Sequence, residues 1–573
     1  MKIYLKILKE QKGFLMMSSL LVLLFVVCET LQPYLMADMI DKGVVTKDLS
    51  IIGSSGMKMI AVSLVGLFAN VANVYLSSRV SIRFSTNLRA LLFAKIQRLS
   101  LTDIDRFTTA SLVTRLTMDI SKIQHLVLLS MRVFLRAPLM LVMASFFVFS
   151  IHPKPGIIIT IAISMLGVAL FFLLKKTFPF YLRIQKKVDH LNNVVRENLI
   201  NIRIVKSFVR EDYELKKFDQ RNVDLQETVV KASNVLICIY PMMQLVMNIS
   251  IVALLWMGNG LIQKGEMKVG ELIAFLNYFA QILISLMLLS VTIMAYARAS
   301  ASSHRILQVM NTTPSMTEPS PVKQEGAEVS KGKIVFTNVS FKHVKATNEV
   351  LRKVNLTIEG GERVAIVGAT GSAKSTLIHL IARLYDVSTG EITVDGLNVK
   401  DYRREELNRG VTVVPQVNEL FTGTVAENLR WGKSDASLTE MVQMAKVAEA
   451  HRFIADLPEG YDTLLGRDGV NLSGGQKQRI CLTRALLRSP KILILDDSTS
   501  AVDTETEKRI FSNMKGMLSD TTLIIVTQRA AVMNWADKIV VMDEGEVKAV
   551  GSFDELRMNS PLFAEIYNSQ LLD

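Results

Sequence analysis

Cysteine is almost absent from this chain. Its 573 residues hold only Cys28, Cys238 and Cys481, which are too far apart for a metal-ligand spacing or a disulfide framework. Reduced, mostly inert thiols and a soluble part facing the cytosol are expected. Charge is scarce too: 21% of residues are charged against 50% apolar, and the mean hydropathy is +0.31. These values exclude a soluble enzyme of ordinary composition. They also exclude disorder, because the apolar content can bury more surface than backbone ordering costs. The 66 Lys and Arg outnumber the 53 Asp and Glu, a net charge of +13, which suits nucleic acid, an anionic membrane face or a polyphosphate ligand until placement decides.

Apolar runs of about 20 residues, the length that crosses a bilayer, occur only in the first 300 positions. Six spans are expected, near Phe14–Asp38, Ile52–Ser78, Val127–Ile151, Gly156–Leu174, Val235–Ile262 and Leu272–Met294. Positive segments stay inside. Residues 79–126 carry eight basic and three acidic residues (net +5), and residues 175–234 carry thirteen and eight (net +5). These are the expected inner loops, whereas 39–51, 152–155 and 263–269 are short and nearly neutral, as outer connections should be. Topology thus accounts for most of the excess charge without nucleic acid. The first span lacks an A-x-A-like cleavage site, so it is read as a retained helix. Both inner loops lack Pro/Gly clusters and keep helical periodicity. They are predicted to extend the membrane helices about 36 Å into the cytosol at 1.5 Å per residue, each ending in a turn, near Asp103–Ala110 and Asn201–Lys206.

Residues 313–332 are rich in Pro, Ser and Gly and read as a linker. From Lys333 onward, β-like runs (Lys333–Phe336, Arg363–Val367, Val411–Val414, Ile492–Leu495, Thr522–Val526) alternate with helical stretches, the pattern of an α/β domain with a partly parallel sheet. After the second run come Gly368, Ala369, Thr370, Gly371, Ser372, Ala373, Lys374, Ser375 and Thr376, opening a helix. Backbone N–H groups of such a loop wrap phosphates, Lys374 reaches the β and γ oxygens, and the Ser375 hydroxyl ligates Mg²⁺. The pattern has Gly where this chain has Ala373, and a Cβ there opposes the backbone shape and phosphate approach that Gly permits. The strand Ile492–Leu495 ends in Asp496 and Asp497, which delivers Asp496 to the Mg²⁺ shell. A third element, Leu472-Ser473-Gly474-Gly475-Gln476, offers a hydroxyl and glycine N–H groups at a helix start, suited to a γ-phosphate.

With this last motif the sequence resembles the ATP-binding-cassette (ABC) family, and with six preceding spans it resembles a half-size exporter of the type IV fold over almost its whole length. The resemblance implies an all-α six-helix transmembrane domain (1–312), the linker, and an α/β P-loop cassette (333–573). It also implies that two cassettes pair head to tail, so that Ser473, Gly474, Gly475 and Gln476 cap ATP held by the partner chain. By the same resemblance, Gln416 is the Q-loop glutamine near Mg²⁺, Ser500–Asp503 the D-loop, and His343 stands where an aromatic stacks on adenine. Thr463–Arg467 falls where an X-loop carries an acidic residue, here Arg467. The inner-loop turns resemble coupling helices. The implied ligands are ATP and Mg²⁺, the latter held by Ser375, Gln416 and Asp496.

Two further departures bear on mechanism. The family has Glu after the Walker B Asp, where this chain has Asp497. One methylene less withdraws the carboxylate by about 1 Å, which can cost on the order of 10²-fold. The switch position, normally His, is Gln528, which donates a hydrogen bond but cannot become cationic or relay a proton. With Ala373, three changes fall on one composite site, expected to hold ATP and turn it over slowly. The intact signature points instead to a competent site on a partner. The chain therefore resembles the degenerate-site subunit of a bacterial heterodimeric multidrug exporter, a multi-pass plasma-membrane protein with its N-terminus and cassette in the cytoplasm. Amphiphilic or hydrophobic small molecules are its expected substrates, with membrane lipids and a second half-transporter as partners. The competing readings are a lipid or peptide exporter with the same engine, and a nucleotide-gated regulatory subunit that does not pump. Within the spans, Glu29, Arg132 and Arg136 are candidate functional charges: the two Arg, one turn apart near the cytoplasmic start of their span, suit snorkelling to headgroups at least as well as lining a cavity, and Glu29 suits attraction of cationic amphiphiles or a place at the outer interface. Phe275, Tyr278 and Phe279, with the 28 Met, suit a soft apolar pocket, although such side chains in membrane helices mostly face lipid or neighbouring helices.

Overall fold

The computed structural model describes residues 2–237, 239–316, 328–344 and 346–569; Cys238 and the linker residues 317–327 lie outside them. The chain forms two compact units, Met1–Ala94 with Val113–Asn311, and Lys95–Leu112 with Thr312–Asp573.

The first unit is helical. Five helices among the described residues are long and apolar enough to cross a membrane: Lys12–Val44, Leu49–Gln97, Thr109–Ile151, Gln244–Gln263 and Val269–Leu289. The expected fourth span lies on the 48-residue helix Pro153–Ile200, whose stretch Pro153–Val168 is apolar but short of a full crossing by itself. The helix Leu49–Gln97 has 49 residues, so it is about 74 Å long at 1.5 Å per residue, more than twice the hydrocarbon thickness. This length arises because the basic segment that follows the apolar run holds no helix breaker. The short connections are tied together: Lys154 pairs with Glu266 at 2.9 Å, and Asp41 accepts a hydrogen bond from the Gly270 N–H at 2.7 Å.

Packing in this unit decides between the two roles open to three aromatic residues: Phe275, Tyr278 and Phe279 are fully buried among neighbouring helices. The Tyr278 hydroxyl donates to the Thr30 carbonyl at 2.8 Å, and its ring stacks on Phe147 with centroids 5.6 Å apart. A span that is apolar all round does not reveal which stripe faces its neighbours.

The second unit is an α/β cassette with two main sheets. One is antiparallel, in the order Leu351–Ile358, Ile334–Phe341, Thr389–Val394, Leu397–Asn398. The other runs Glu546–Gly551, Lys538–Asp543, Arg363–Val367, Thr522–Val526, Ile492–Asp496, Val411–Val414, and is parallel apart from its first strand. Its central strands are buried on both faces, which is why they read as unbroken apolar runs. Register sets the functional edge, since Val526 pairs with both Ile366 and Asp496. The three carboxyl ends therefore deliver Gly368, Asp497 and Gln528 to one side of the sheet, the usual ligand crevice of a parallel sheet.

The tip of the first inner loop, which the sequence places in the membrane half, belongs to this second unit. Its helix Leu101–Phe107 starts at Ser100, which forms a capping box with Asp103. Ser100 Oγ lies 2.6 Å from Ser315 Oγ, and Asp103 accepts the Ser315 N–H at 3.0 Å. Tyr385 donates to Asp105 at 3.0 Å. Burial and the Asp105 carboxylate push the Tyr385 phenol up to about 12, so it stays a donor at any physiological pH. The second tip forms the short helix Ile202–Ser207, with Ile204 and Phe208 exposed.

Candidate nucleotide-binding site

The phosphate loop joins the strand Arg363–Val367 to the helix Lys374–Ile381. Gly368 and Gly371 have φ of 154° and 89°, conformations open to glycine. A Cβ at Gly368 would sit 2.2 Å from the Met542 carbonyl oxygen, whereas Gly371 has nothing within 4 Å and leaves the backbone open to a phosphate. Ala373 is the surprise. It adopts φ 73°, ψ 20° and caps the helix in the left-handed region. The loop has kept the shape that glycine would give, at the steric cost of about 1–2 kcal/mol that an L-residue incurs there. The effect expected from the sequence thus appears as strain rather than as an altered loop. Lys374 donates to the carbonyls of Gly368 and Ala369, both at 2.8 Å; burial lowers its pKa.

Ser375 donates to Asp496 at 3.1 Å. Asp496 is almost fully buried, and burial raises its pKa. A hydroxyl and a desolvated carboxylate side by side, close to a cradle of backbone N–H groups, form a donor set that fits Mg²⁺, which binds hard oxygens and retains substrate phosphates in its shell. Asp497 follows at φ 48°. Burial raises its pKa as well, against the opposing effects of Ser500, Arg529 and a hydrogen bond from Gln416. Gln416 thus lies close enough to the second carboxylate to oppose the effect of burial on it. Gln528 is exposed just beyond the adjacent strand. His343 packs edge-on against Phe341 and Tyr385, with centroids 4.8 and 5.4 Å away. The same three residues, with Thr102, Asp105 and Arg106 of the loop tip, line a cavity of about 440 Å³.

The signature lies elsewhere on the cassette. Ser473 caps the helix Gly474–Leu486 through a capping box with Gln476: the Ser473 N–H donates to Gln476 Oε1 at 2.9 Å, and Ser473 Oγ accepts the Gln476 N–H at 3.3 Å. A Cβ at Gly475 would approach the Ala501 carbonyl oxygen to 2.6 Å, and one at Gly474 would meet Ala501 Cβ at 3.4 Å. Gly475 is therefore required by the loop at 500–503 packed against it, besides any role toward phosphate, whereas the contact at Gly474 is ordinary van der Waals packing. Arg467 is highly exposed, 3.6 Å from Asp468.

The sequence reading missed a clamp that joins these parts. Gln478 donates to Ser500 Oγ at 3.1 Å and accepts the Ala501 N–H at 2.9 Å. Arg529, next to Gln528, donates to the Ser500 and Val502 carbonyls at 2.8 and 3.1 Å and pairs with buried Glu507 at 3.0 Å. The residues are up to 51 positions apart, so no local pattern signals the clamp. His379 was also missed; it sits on the phosphate-loop helix, and burial lowers its pKa against the pull of Asp496.

Comparison with known proteins agrees with this architecture. Residues 15–287 match the ABC transporter transmembrane region and residues 351–500 the ABC transporter family. The chain is 38% identical to the uncharacterized ABC transporter ATP-binding protein YfiB of Bacillus subtilis, over 96% of each chain. It is 29% identical to an ATP-dependent lipid A-core flippase of Desulfotalea psychrophila, over 94% of each. A bacterial Atm1-family ABC exporter solved with ATP bound superposes with a TM-score of 0.81 at 25% identity, covering 96% of this chain and 97% of that one. This chain belongs to the ABC transporter family: it is a multi-pass membrane protein of exporter fold, whose helical transmembrane domain precedes a cytoplasmic α/β domain that hydrolyses ATP to drive transport.

Proposed function

We propose that the chain is one half of a heterodimeric exporter of amphiphilic or hydrophobic compounds. Its own phosphate loop would build a slow ATP site, and its signature would serve a competent site on the partner. The observation that carries this reading is the contrast between two edges of one cassette. Asp497, Gln528 and Ala373 all depart from the hydrolytic pattern, and register brings the first two to the edge where the loop of the third lies. The signature Leu472–Gln476 is complete and rigidly capped. When ATP binds at this chain's loop, Lys374, the loop N–H groups and the Ser375–Asp496 pair would hold it. Asp497 falls short as a base for water, and Gln528 offers a hydrogen bond without a transferable proton.

The partner chain, ATP and Mg²⁺ as ligands, and the substrate class belong to this proposal. Similarity to a protein named a lipid A-core flippase makes a lipid the second candidate cargo. ATPase measurements on the purified pair test the division of labour. Replacing the partner's Walker B Glu by Gln should abolish turnover, on the order of 10²-fold or more, while Asp497→Glu here should raise it at most a few-fold. Turnover that survives the partner change would overturn the proposal.

A further inference from the structure

The membrane unit contains a charge arrangement that ATP binding does not explain. Across the six expected spans there is one carboxylate well inside, Glu29, against Lys58, Arg132 and Arg136. Glu29 is 15 residues from the start and nine from the end of the expected span Phe14–Asp38, so it lies about 22 and 14 Å from the two ends at 1.5 Å per residue, inside the apolar stretch. Arg136 Nη2 donates to both carboxylate oxygens, at 2.9 and 2.8 Å, and its guanidinium lies 4.6 Å from the centre of the Phe25 ring. Gln281 fastens the same point by donating to the Glu29 carbonyl at 3.1 Å.

Two features show that this is more than a closed structural pair. The Arg136 and Glu29 side chains keep 28% and 29% of their surface exposed. Charge exposed at this depth is very costly against hydrocarbon and is tolerated toward a wet translocation space. A guanidinium also carries five N–H donors. Only Nη2 is engaged here, and the three N–H groups on Nε and Nη1 meet no hydrogen-bond acceptor among the described residues. Glu29 and Arg136 balance each other one charge to one, so the surplus charge of the group comes from Arg132, one helical turn before Arg136: it donates to Ser77, Ser78 and the Val74 carbonyl, all neutral, and lies within a π-helical turn, Ser130–Phe134, a distortion frequent at functional sites. The three side chains together carry a net positive charge, which favours an anion as ligand.

We propose that Arg136, held by Glu29 and backed by Phe25, is an anion-binding subsite of the membrane domain that takes the phosphate or carboxylate headgroup of an amphiphile. This rests on the exporter reading above and narrows its substrate class. Glu29 acts as a stand-in ligand that keeps the guanidinium compensated until the headgroup arrives.

The test uses the full-length chain with its partner in phosphatidylcholine nanodiscs, with dodecyl phosphate, dodecyltrimethylammonium and dodecyl maltoside as probes. Calorimetric titration should show dodecyl phosphate binding about tenfold weaker in Arg136→Gln and several-fold tighter in Glu29→Gln, which releases the guanidinium. Arg136→Lys should fall between wild type and Arg136→Gln. Adding phosphatidylglycerol distinguishes the sources of the headgroup. If it competes in wild type but not in Arg136→Gln, the occupant is a lipid; if it does not compete, the occupant is a soluble amphiphile. If Glu29→Gln weakens dodecyl phosphate binding as Arg136→Gln does, or if Arg136→Gln has no effect, the pair is structural and the proposal is overturned. Stimulation of ATPase by dodecyltrimethylammonium alone would sink the subsite and leave the exporter reading. The expected binding pattern, with no probe changing the ATPase rate, would support the subsite and sink the amphiphile-exporter reading.

Discussion

The phosphate-loop edge and the signature edge of this cassette have been preserved in opposite ways. At the first, the backbone is kept and the side chains have changed: Ala373 holds a left-handed φ of 73° and Asp497 one of 48°, although neither is glycine. At the second, side chain and backbone are kept together, with Ser473 and Gln476 closing a capping box and Gln478 bracing the Ala501 N–H. The loop can therefore hold this shape without glycine at 373, because the buried strand Arg363–Val367 and the helix Lys374–Ile381 fix its two ends. A surface packed against a carbonyl cannot accept even one methyl group. The comparison separates holding a nucleotide, which needs backbone, from hydrolysing it, which needs particular side chains.

The largest effect that would sharpen this contrast is expected at Gly475. A Cβ there would lie 2.6 Å from the Ala501 oxygen, and the neighbour is backbone that Gln478 and Arg529 hold in place. Gly475→Ala should reduce steady-state ATPase of the pair on the order of 10²–10³-fold, the range for losing one preorganised donor, and should also lower the melting temperature, because the backbone at Ala501 must shift to admit the methyl group. A mild effect would mean that the loop at 500–503 yields, and the contrast between the edges would be lost.

At Ala373 the expected effect is smaller and opposite in sign. Ala373→Gly relieves a left-handed alanine and should stabilise the folded protein by about 1 kcal/mol, less the entropy that glycine adds to the unfolded chain. Denaturant unfolding reads this directly. On the proposed division of labour the same change should tighten binding of a fluorescent ATP analogue a few-fold and leave the turnover of the pair unchanged, since Asp497 and Gln528 remain. A clear rise in turnover would assign the slow step to the loop rather than to those side chains.

How much of this was legible beforehand depended on whether a signal was local. The strands Arg363–Val367 and Thr522–Val526 stand out because burial on both faces makes them continuous apolar runs bounded by polar turns, and the edge strand Val411–Val414 stands out by its three valines although Thr412 and Val413 are only half-buried. Leu351–Ile358 does not stand out: it alternates buried and exposed positions and is interrupted at Lys353, which has φ 43°. The motif residues 368–376, 473–476 and 496–497 were legible because phosphate chemistry requires contiguous residues. The Gln478–Ser500–Arg529 clamp and the docking of Asp105 on Tyr385 were not, since their partners are brought together only by the tertiary fold. In the membrane half, periodicity located the spans but not their faces. Arg132 and Arg136 read as headgroup anchors or as cavity lining, and only the neighbouring helices reveal Ser77, Ser78 and Glu29 as their partners.

The smallest predicted effect concerns pH and distinguishes the two edges once more. Burial lowers the pKa of His379 below its ordinary 6.5, with Asp496 opposing the shift. The folded protein therefore binds this proton less readily than the unfolded chain does, so stability contributed by neutral His379 is present above about pH 6.5 and is lost as pH falls through the lowered folded value. His379→Asn should flatten the stability profile between about pH 6.5 and 5 by a few tenths of a kcal/mol, measured by thermal unfolding in low salt. The signature helix Gly474–Leu486 contains no histidine or carboxylate of its own, so Gln476→Ala should leave that profile unchanged. Equal flattening by both substitutions would show that the acid sensitivity belongs to the whole cassette rather than to the nucleotide edge.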